Sequence, residues 1–465
     1  MEKKAKIYYF SLTDEQTKTE KLEWFKNTKL QDIDFQLIKP DKNNNWINLA
    51  DENNGFDDLI PLITKEKKEQ QIFAFSSLGV STNRDEWVYD FSKENLEKKI
   101  QFFIQQYNDF LDKNDNSWDT SIKWSEYLKG IFKRKQKLSF DKKLLISSNY
   151  RPFTNKFYYA ETFLSDRLTQ NHYDIFGNDL DKENIYIGHI GNDTQKPFSI
   201  LAGNGVPSLN YLSPASGCRV FSLYRYSNGE RVENITDWAL ALFRNNYELG
   251  IINYEIKDKI IHNSSFIIQK LDIFHYVYAV LHKPEYRTMY EQNLKREFPR
   301  IPLYADFWKY AEAGKKLMEL HINYELEITN YEPLLVRKDV DLEVFKTKKQ
   351  GRKKQVSQAE QEKEVTEVSG SFTVYPILKI KEGNIEIDEL TTLCGVPAQA
   401  LAYKLGNRSA IEWILDQYKP YKSDDKTIQE QFNNYNFADY KEQVIELLQK
   451  VCWLSVETMK IVGEL

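Results

Sequence analysis

Between Ile235 and Glu325 the chain sets out helical periodicity, caps and proline breaks in close succession, an order that few folds other than a packed helical unit can satisfy. Thr236 or Asp237 can cap a helix that carries Ala239, Leu242 and Phe243 on one face. Phe274, Val277, Tyr278 and Leu281 repeat at the i, i+3, i+4, i+7 spacing of a second helix. Pro284 suits the first turn of a third. Pro299 and Pro302 then stop it, and Phe307, Tyr310, Ala311, Gly314 and Leu317 restart the same period in a fourth. Aromatic and basic residues are dense throughout this stretch, so physical pattern alone predicts a helical unit with an aromatic core.

The rest of the chain predicts an α+β fold in several parts. Residues 1 to about 115 mix short strands with a helix, capped by Ser92 and amphipathic through Leu96, Ile100, Phe103 and Ile104. From about 116 to 234, short runs such as Ile185-Tyr186-Ile187 and Arg219 to Tyr224 alternate with Gly, Asn, Asp and Pro turns, the pattern of a β-rich core. The helical unit occupies about 235 to 330, and residues 331 to 371 read as a polar linker or loop. Its segment from Lys346 to Ser371 has almost no apolar residue to bury. In 372–465 a hairpin is predicted around Lys381-Glu382-Gly383-Asn384, followed by two helices, one with Ile411, Ile414, Leu415 and Tyr418 in phase and one with Tyr440, Val444, Leu447 and Val451. No internal repeat of the solenoid kind is present.

Net charge is −5 over 465 residues, so there is no global basic signature. Nucleic acid responds to local positive surface, which leaves that partner open. Cys218, Cys394 and Cys452 lie far apart with no CxxC pair and no secretory segment, which points to a reducing cytoplasm. No apolar run approaches the length of a membrane helix, and insertion into a membrane is not expected.

Several long words stand in a fixed order: Thr82-Asn83-Arg84-Asp85-Glu86-Trp87-Val88-Tyr89, Ile122-Lys123-Trp124, Tyr150-Arg151-Pro152-Phe153 with Tyr158-Tyr159, Gly406 to Trp413, and Ser455 to Val462. With the helical unit, they make the chain resemble the C-terminal region of type ISP restriction-modification enzymes, bacterial proteins that join nuclease, helicase, adenine methyltransferase and target-recognition parts. The resemblance spans nearly the whole chain. It implies that residues 1–115, with Lys6-Ile7-Tyr8-Tyr9-Phe10 as a late strand, form the end of a methyltransferase-like domain, and that 116–234 and 372–465 build the recognition domain.

The methyltransferase words themselves are missing. There is no Asn/Asp-Pro-Pro-Tyr/Phe loop to grip a flipped base and no glycine turn of the kind that holds S-adenosylmethionine; Ala202-Gly203-Asn204-Gly205 and His189-Ile190-Gly191-Asn192 read as polar turns between strands. Nor is there a phosphate-binding loop for a helicase motor. No cofactor is expected in this chain; by the resemblance, S-adenosylmethionine belongs to the intact enzyme. His172, His189, His262, His275, His282 and His321 have no metal-ligand spacing, and Glu248 with Glu255-Ile256-Lys257 is too common a pattern to mark a nuclease.

From Lys123 to Phe157 ten basic residues face only Glu126 and Asp141: Lys123, Lys129, Lys133, Arg134, Lys135, Lys137, Lys142, Lys143, Arg151 and Lys156. Such a cluster neutralises phosphates, the main source of non-specific DNA affinity, although a plainly solvated helix face would read the same way. Base edges need Arg for guanine and Asn or Gln for adenine. The candidates in turn-rich segments are Asn149, Arg151, Asn155, Arg167, Gln170, Asn171, Gln195, Arg219 and Arg225, with Asn407 and Arg408 at the start of a helix where either a phosphate contact or a plain cap fits. Arg151 beside Pro152 is equally suited to pair with a carboxylate and order its turn.

The expected function is therefore sequence-specific recognition of double-stranded DNA for a type ISP system, with neither methyl transfer nor cleavage by this polypeptide alone. The chain would be a truncated or split product, a specificity subunit or a fragment, working with methyltransferase, helicase and nuclease parts on another chain. The alternative is a module that docks a partner methyltransferase or helicase and touches DNA little, which the 14% aromatic content supports.

Overall fold

The computed structural model describes residues 5–13, 16–40, 46–47, 54–64, 70–115, 117–191, 194, 196–214, 216–255, 267–325, 331–345 and 374–465. The Lys346 to Ser371 run, Gln195, Asn192, His262 and the Ile256-Lys257 pair fall outside them.

Local signals place the helices. The Ser92 hydroxyl accepts from Asn95 N at the start of the Lys93–Asp112 helix, whose Leu96, Ile100, Phe103, Ile104 and Tyr107 are buried. Thr236 accepts from Ala239 N and so caps the Asp237–Glu255 helix. Pro284 opens the Pro284–Met289 helix, which is broken at Tyr290 and continues as Glu291–Arg296. The chain then extends through Pro299 and Pro302 to a short strand, Arg300–Ile301, before Asp306 caps the Phe307–Ile322 helix.

Strand pairing joins distant segments. In one four-stranded sheet, Leu145–Arg151 lies antiparallel to Thr154–Tyr159 and parallel to Val206–Pro207, with Tyr89–Asp90 on the far edge. A second sheet runs Ser77–Leu78, Cys218–Ser222, Tyr186–Ile190, Ile200–Gly203, all antiparallel. Side chains alternate across a strand, so this sheet serves two cores. Tyr186, Leu201, Cys218 and Val220 face one, with the Lys93–Asp112 helix and the C-terminal Lys441–Gly463 helix. Ile187, Ile200, Ala202 and Phe221 face the other, filled by the helical unit. All five residues of Tyr186–Ile190 are buried, as a strand covered on both faces must be.

In the second core the Lys270–His282 helix is buried at every position from Ile273 to His282 and packs along Phe307–Ile322. The two backbones approach so closely at Gly314 that a Cβ there would overlap the His275 carbonyl. His275 and His282 are packing residues of this helix. The last helix closes against the same unit: Thr458 bonds His321 Nε2 at 3.0 Å, and Lys283 and Tyr310 donate to the Leu465 carbonyl.

A third four-stranded sheet contains the predicted hairpin, Pro376–Lys381 with Asn384–Asp388; its two-residue turn has Glu382 and Gly383 both at positive φ, 51° and 73°. Thr391–Cys394 extends it, and Val336–Asp339 pairs on the edge. That last strand lies within the segment read as polar linker; all four of its residues are exposed, so no apolar alternation announced it.

His189 is buried with its ring stacked on Phe221 at 5.5 Å, and burial drops its pKa to about 3. The folded pKa lies below the unfolded one, so the unfolded chain binds the extra proton and stability falls as pH drops from about 6.5 toward 3. His189→Phe is expected to flatten this acid limb by up to about 5 kcal/mol over the full pH window, read as the pH dependence of the urea midpoint; an unchanged slope would contradict it.

Candidate nucleic-acid interface

The basic stretch becomes a surface through one amphipathic helix. Ser125 caps Glu126–Lys133 by accepting from Leu128 N, and Leu128, Ile131 and Phe132 turn inward. Phe132 meets Tyr107, Trp118 and Trp124 edge-on at 5.4 to 5.7 Å. That packing leaves Lys133, Arg134 and Lys135 exposed at the helix C-terminus, where cations also suit the helix dipole. Lys135 sits at φ 57° and turns the chain away.

The ten cations divide by partner. Lys129 is tied to Glu126 at 2.8 Å and lies over Trp118, Lys137 pairs with Asp112 at 2.7 Å, and Lys142 with Glu97 at 3.2 Å. Lys123, Lys133, Arg134, Lys135 and Lys143 are exposed and make no ion pair among the described residues. These five are the cations free to meet phosphate.

Lys123 also lines a cleft of about 570 Å³ with Thr82 to Trp87, Ser208 to Asn210, Asp424 and Asp425. Arg84 is the buried post of that loop: its guanidinium bonds Ser125 Oγ at 2.6 Å and the Phe163 carbonyl at 3.4 Å, and Asp166 lies 3.6 Å away. Burial lowers its pKa to about 10, against the attraction of Asp166. Asn83, at φ 55°, presents its backbone in the left-handed region and bonds Asp166 Oδ2 at 2.6 Å. Trp87 Nε1 donates to Asp425, and Ser423 to Glu86, so the segment after Lys419 is latched onto this helix turn.

Most turn-borne candidates are engaged within the protein. Asn149 is buried, its Oδ1 accepting from Tyr186 Oη at 2.7 Å and Gly205 N at 2.8 Å while its Nδ2 donates to Asn155. Arg151 lies over the Tyr150 ring at 4.0 Å, donates to Ser208 Oγ and stands 3.9 Å from Asp85, the turn-ordering role that its place beside Pro152 suits. Lys156 is wedged between Phe91 and Tyr150. Arg219 lies over Phe298 at 5.2 Å, Arg225 is partly buried, and Gln170 bonds Asp174. Arg167 and Asn171 are exposed. Asn407 and Arg408 sit in a small hairpin before the Ala410–Gln417 helix, not at its cap: Ser409 caps it, and Arg408 pairs with Asp416 at 2.7 Å.

The model of the type ISP C-terminal specificity domain matches residues 71–447. The chain belongs to this family. The match takes in the double-cored sheet, the helical unit and the C-terminal sheet, and leaves the Ile7–Tyr9 and Gln36–Ile38 pair outside. Among solved structures, DrdV in a DNA complex is 37% identical over 99% of this chain and 43% of that one, with a TM-score of 0.78. A nuclease-deletion mutant of the type ISP enzyme LlaGI, in complex with a DNA substrate mimic, is 26% identical over 100% of this chain and 39% of that one, at 0.72. The ATP-dependent type ISP enzyme LlaBIII bound to DNA is 25% identical over 93% and 25%, at 0.68. This chain thus spans less than half the length of each. No curated protein matches it. No helix among the described residues of the specificity domain is long and apolar enough to cross a membrane.

In this type ISP domain the glycine word at 202–205 lies at the end of the Ile200–Gly203 strand and in the turn after it. Gly203 is closed over by the Tyr186 ring and hydroxyl, and Gly205 N already donates to Asn149. Thr82 to Trp87, part of a run that in the sequence carries only the family resemblance, is also a cleft wall; the signal available was an Asn-Arg-Asp run, whose left-handed Asn and buried Arg fix a loop. Asn149→Ala strips two acceptor contacts and one donor from a buried site and is expected to cost about 2 kcal/mol in urea unfolding. Its salt dependence of DNA binding should match wild type; a selective loss of affinity without loss of stability would mean that Asn149 reads a base.

Proposed function

We propose that the chain is the target-recognition module of a type ISP system: it clasps duplex DNA, reads an asymmetric sequence, and presents one adenine to a methyltransferase whose S-adenosylmethionine and flipped-base pocket lie on other parts of the enzyme. The family match over 71–447 carries the reading. DNA-bound neighbours and the five unpaired cations between Lys123 and Lys143 support it. Phosphate contacts set the position on the duplex, and polar side chains of the neighbouring loops read it. Of the sequence candidates, Lys123, Lys133, Arg134, Lys135 and Arg167 are exposed cations with no ion pair among the described residues.

Binding to a pool of random duplexes at two salt concentrations, with the bound fraction sequenced, tests it. Enrichment of one asymmetric site with weaker binding at high salt is expected. Salt-insensitive or absent binding would favour the docking alternative. One observation does favour a protein partner for a different face: Tyr8, Leu22, Phe25, Leu30 and Leu37 are exposed, Phe25 and Leu30 each 74% so, and the Lys18–Asn27 helix buries no residue. Methyltransferase, helicase or nuclease parts are the proposed occupants.

A further inference from the structure

A second cavity, of about 280 Å³, opens on the other side of the Asp85–Val88 turn, between the start of the Lys93–Asp112 helix and the 417–440 segment. Its carboxylates are engaged. Asp90 takes Lys99 Nζ at 2.8 Å, Ser92 N and Asn95 Nδ2; Glu86 takes Ser423 Oγ; Glu94 takes Ser92 Oγ; Asp439 takes Asn436 Nδ2. Lys99 spends its remaining donors on the Glu86 and Tyr89 carbonyls.

Lys156 is different. It projects from the Thr154–Tyr159 strand with its Nζ 4.5 Å from the Phe91 ring and 4.3 Å from the Tyr150 ring, and it has no hydrogen bond or ion pair among the described residues. An ammonium has three donors and no acceptor, so one held between rings at a cavity wall has its donors left for water or for an anionic ligand. Arg151, 4.0 Å from the same Tyr150 ring, adds positive potential. Lys98 and Lys419, also on the wall, have no ion pair among the described residues. Phe91, Tyr435 and Tyr440 line the cavity as one cluster, Phe91 stacked on Tyr418 at 4.6 Å and Tyr435 on Tyr440 at 5.4 Å, whereas Tyr421, 58% exposed, has no ring contact among the described residues; the amides of Asn433 and Asn434 complete that side.

From this geometry we infer that the cavity is a binding site for a single nucleotide, with Lys156 receiving the phosphate and Tyr421 receiving the base. The volume sits at the lower end for small-ligand pockets, which suits one nucleotide and not a dinucleotide. Stacking on aromatic rings and an amide-lined edge are general means of holding a base. The nucleotide can come from solution or from an unstacked position of bound DNA; the phosphate chemistry is the same. Burial holds the Lys156 pKa at about 7, Arg151 adding to the drop and Asp90 and Asp85 opposing it, and an arriving phosphate would restore the charge. Capture of a free nucleotide at the site does not depend on duplex recognition elsewhere on the chain, whereas capture from DNA rests on it.

The test is calorimetric titration of the full chain with 5′-dAMP, adenosine and inorganic phosphate, each alone, with and without duplex. Saturable binding of dAMP is expected, at least tenfold weaker for adenosine and for the variants Lys156→Met and Tyr421→Ala. Methionine fills the slot between Phe91 and Tyr150, and Tyr421 is largely exposed, so both variants are expected to keep the wild-type unfolding midpoint. Loss of dAMP binding in the presence of duplex would assign the nucleotide to DNA; binding of both together would assign it to solution. Absence of saturable dAMP binding, or equal affinity in wild type and Lys156→Met, overturns the site, whereas a failure of the duplex titration alone bears only on target recognition.

Discussion

Simultaneous replacement of Lys133, Arg134 and Lys135 by glutamine is expected to weaken duplex binding by more than tenfold at moderate salt. Removing one cation from its phosphate lowers the slope of log affinity against log salt by about 0.9, so the triple variant should be flatter by about 2.7. The reason lies in the partners these cations lack. They stand exposed at the end of the Glu126–Lys133 helix with no ion pair among the described residues, while Lys137 is already neutralised by Asp112 at 2.7 Å. Lys137→Gln is therefore a control that should move the slope little. Stability should fall only by the missing helix-dipole interactions, about 0.3–1 kcal/mol each. Titration of a labelled duplex across a salt series reads both quantities. An unchanged slope in the triple variant would place the DNA on another face.

The second large effect concerns the fold. Gly314→Val is expected to cost about 3 kcal/mol or more, because its side chain would stand where the His275 carbonyl lies, with that carbonyl carbon 2.6 Å from the new Cβ. The neighbour is backbone, which has no rotamer to yield. Lys270–His282 and Phe307–Ile322 would have to separate, opening a core that extends to the underside of the double-cored sheet. The contrasting control is Gly130→Ala in the Glu126–Lys133 helix, where a Cβ meets nothing within 4 Å; it should gain about 0.5–1 kcal/mol by helix propensity. Urea midpoints compare the two. A Gly314→Val protein as stable as wild type would mean that the two helices are not locked at this contact.

The α+β class, the family and nearly every long helix were legible in the order of residues alone. Helix signals are local: a cap at Ser92 or Thr236, a proline at position 284, an apolar side chain every third or fourth residue. What it could not supply was partnership across the chain. Two-residue strands such as Ser77–Leu78 and Val206–Pro207 exist only because remote segments pair with them, and Val336–Asp339 has no buried face to betray it. The same holds for the candidate interface. Ten cations look alike in a string of letters, yet Lys137 is paired, Lys156 is wedged between two rings and Lys133 is bare. Asn149 and Arg151 carry the right groups for reading bases, but the tertiary structure has already spent those groups on Tyr186, Gly205 and Ser208. Chemistry is fixed by residue type; availability is fixed by neighbours, and neighbours distant in sequence are decided only when the chain folds.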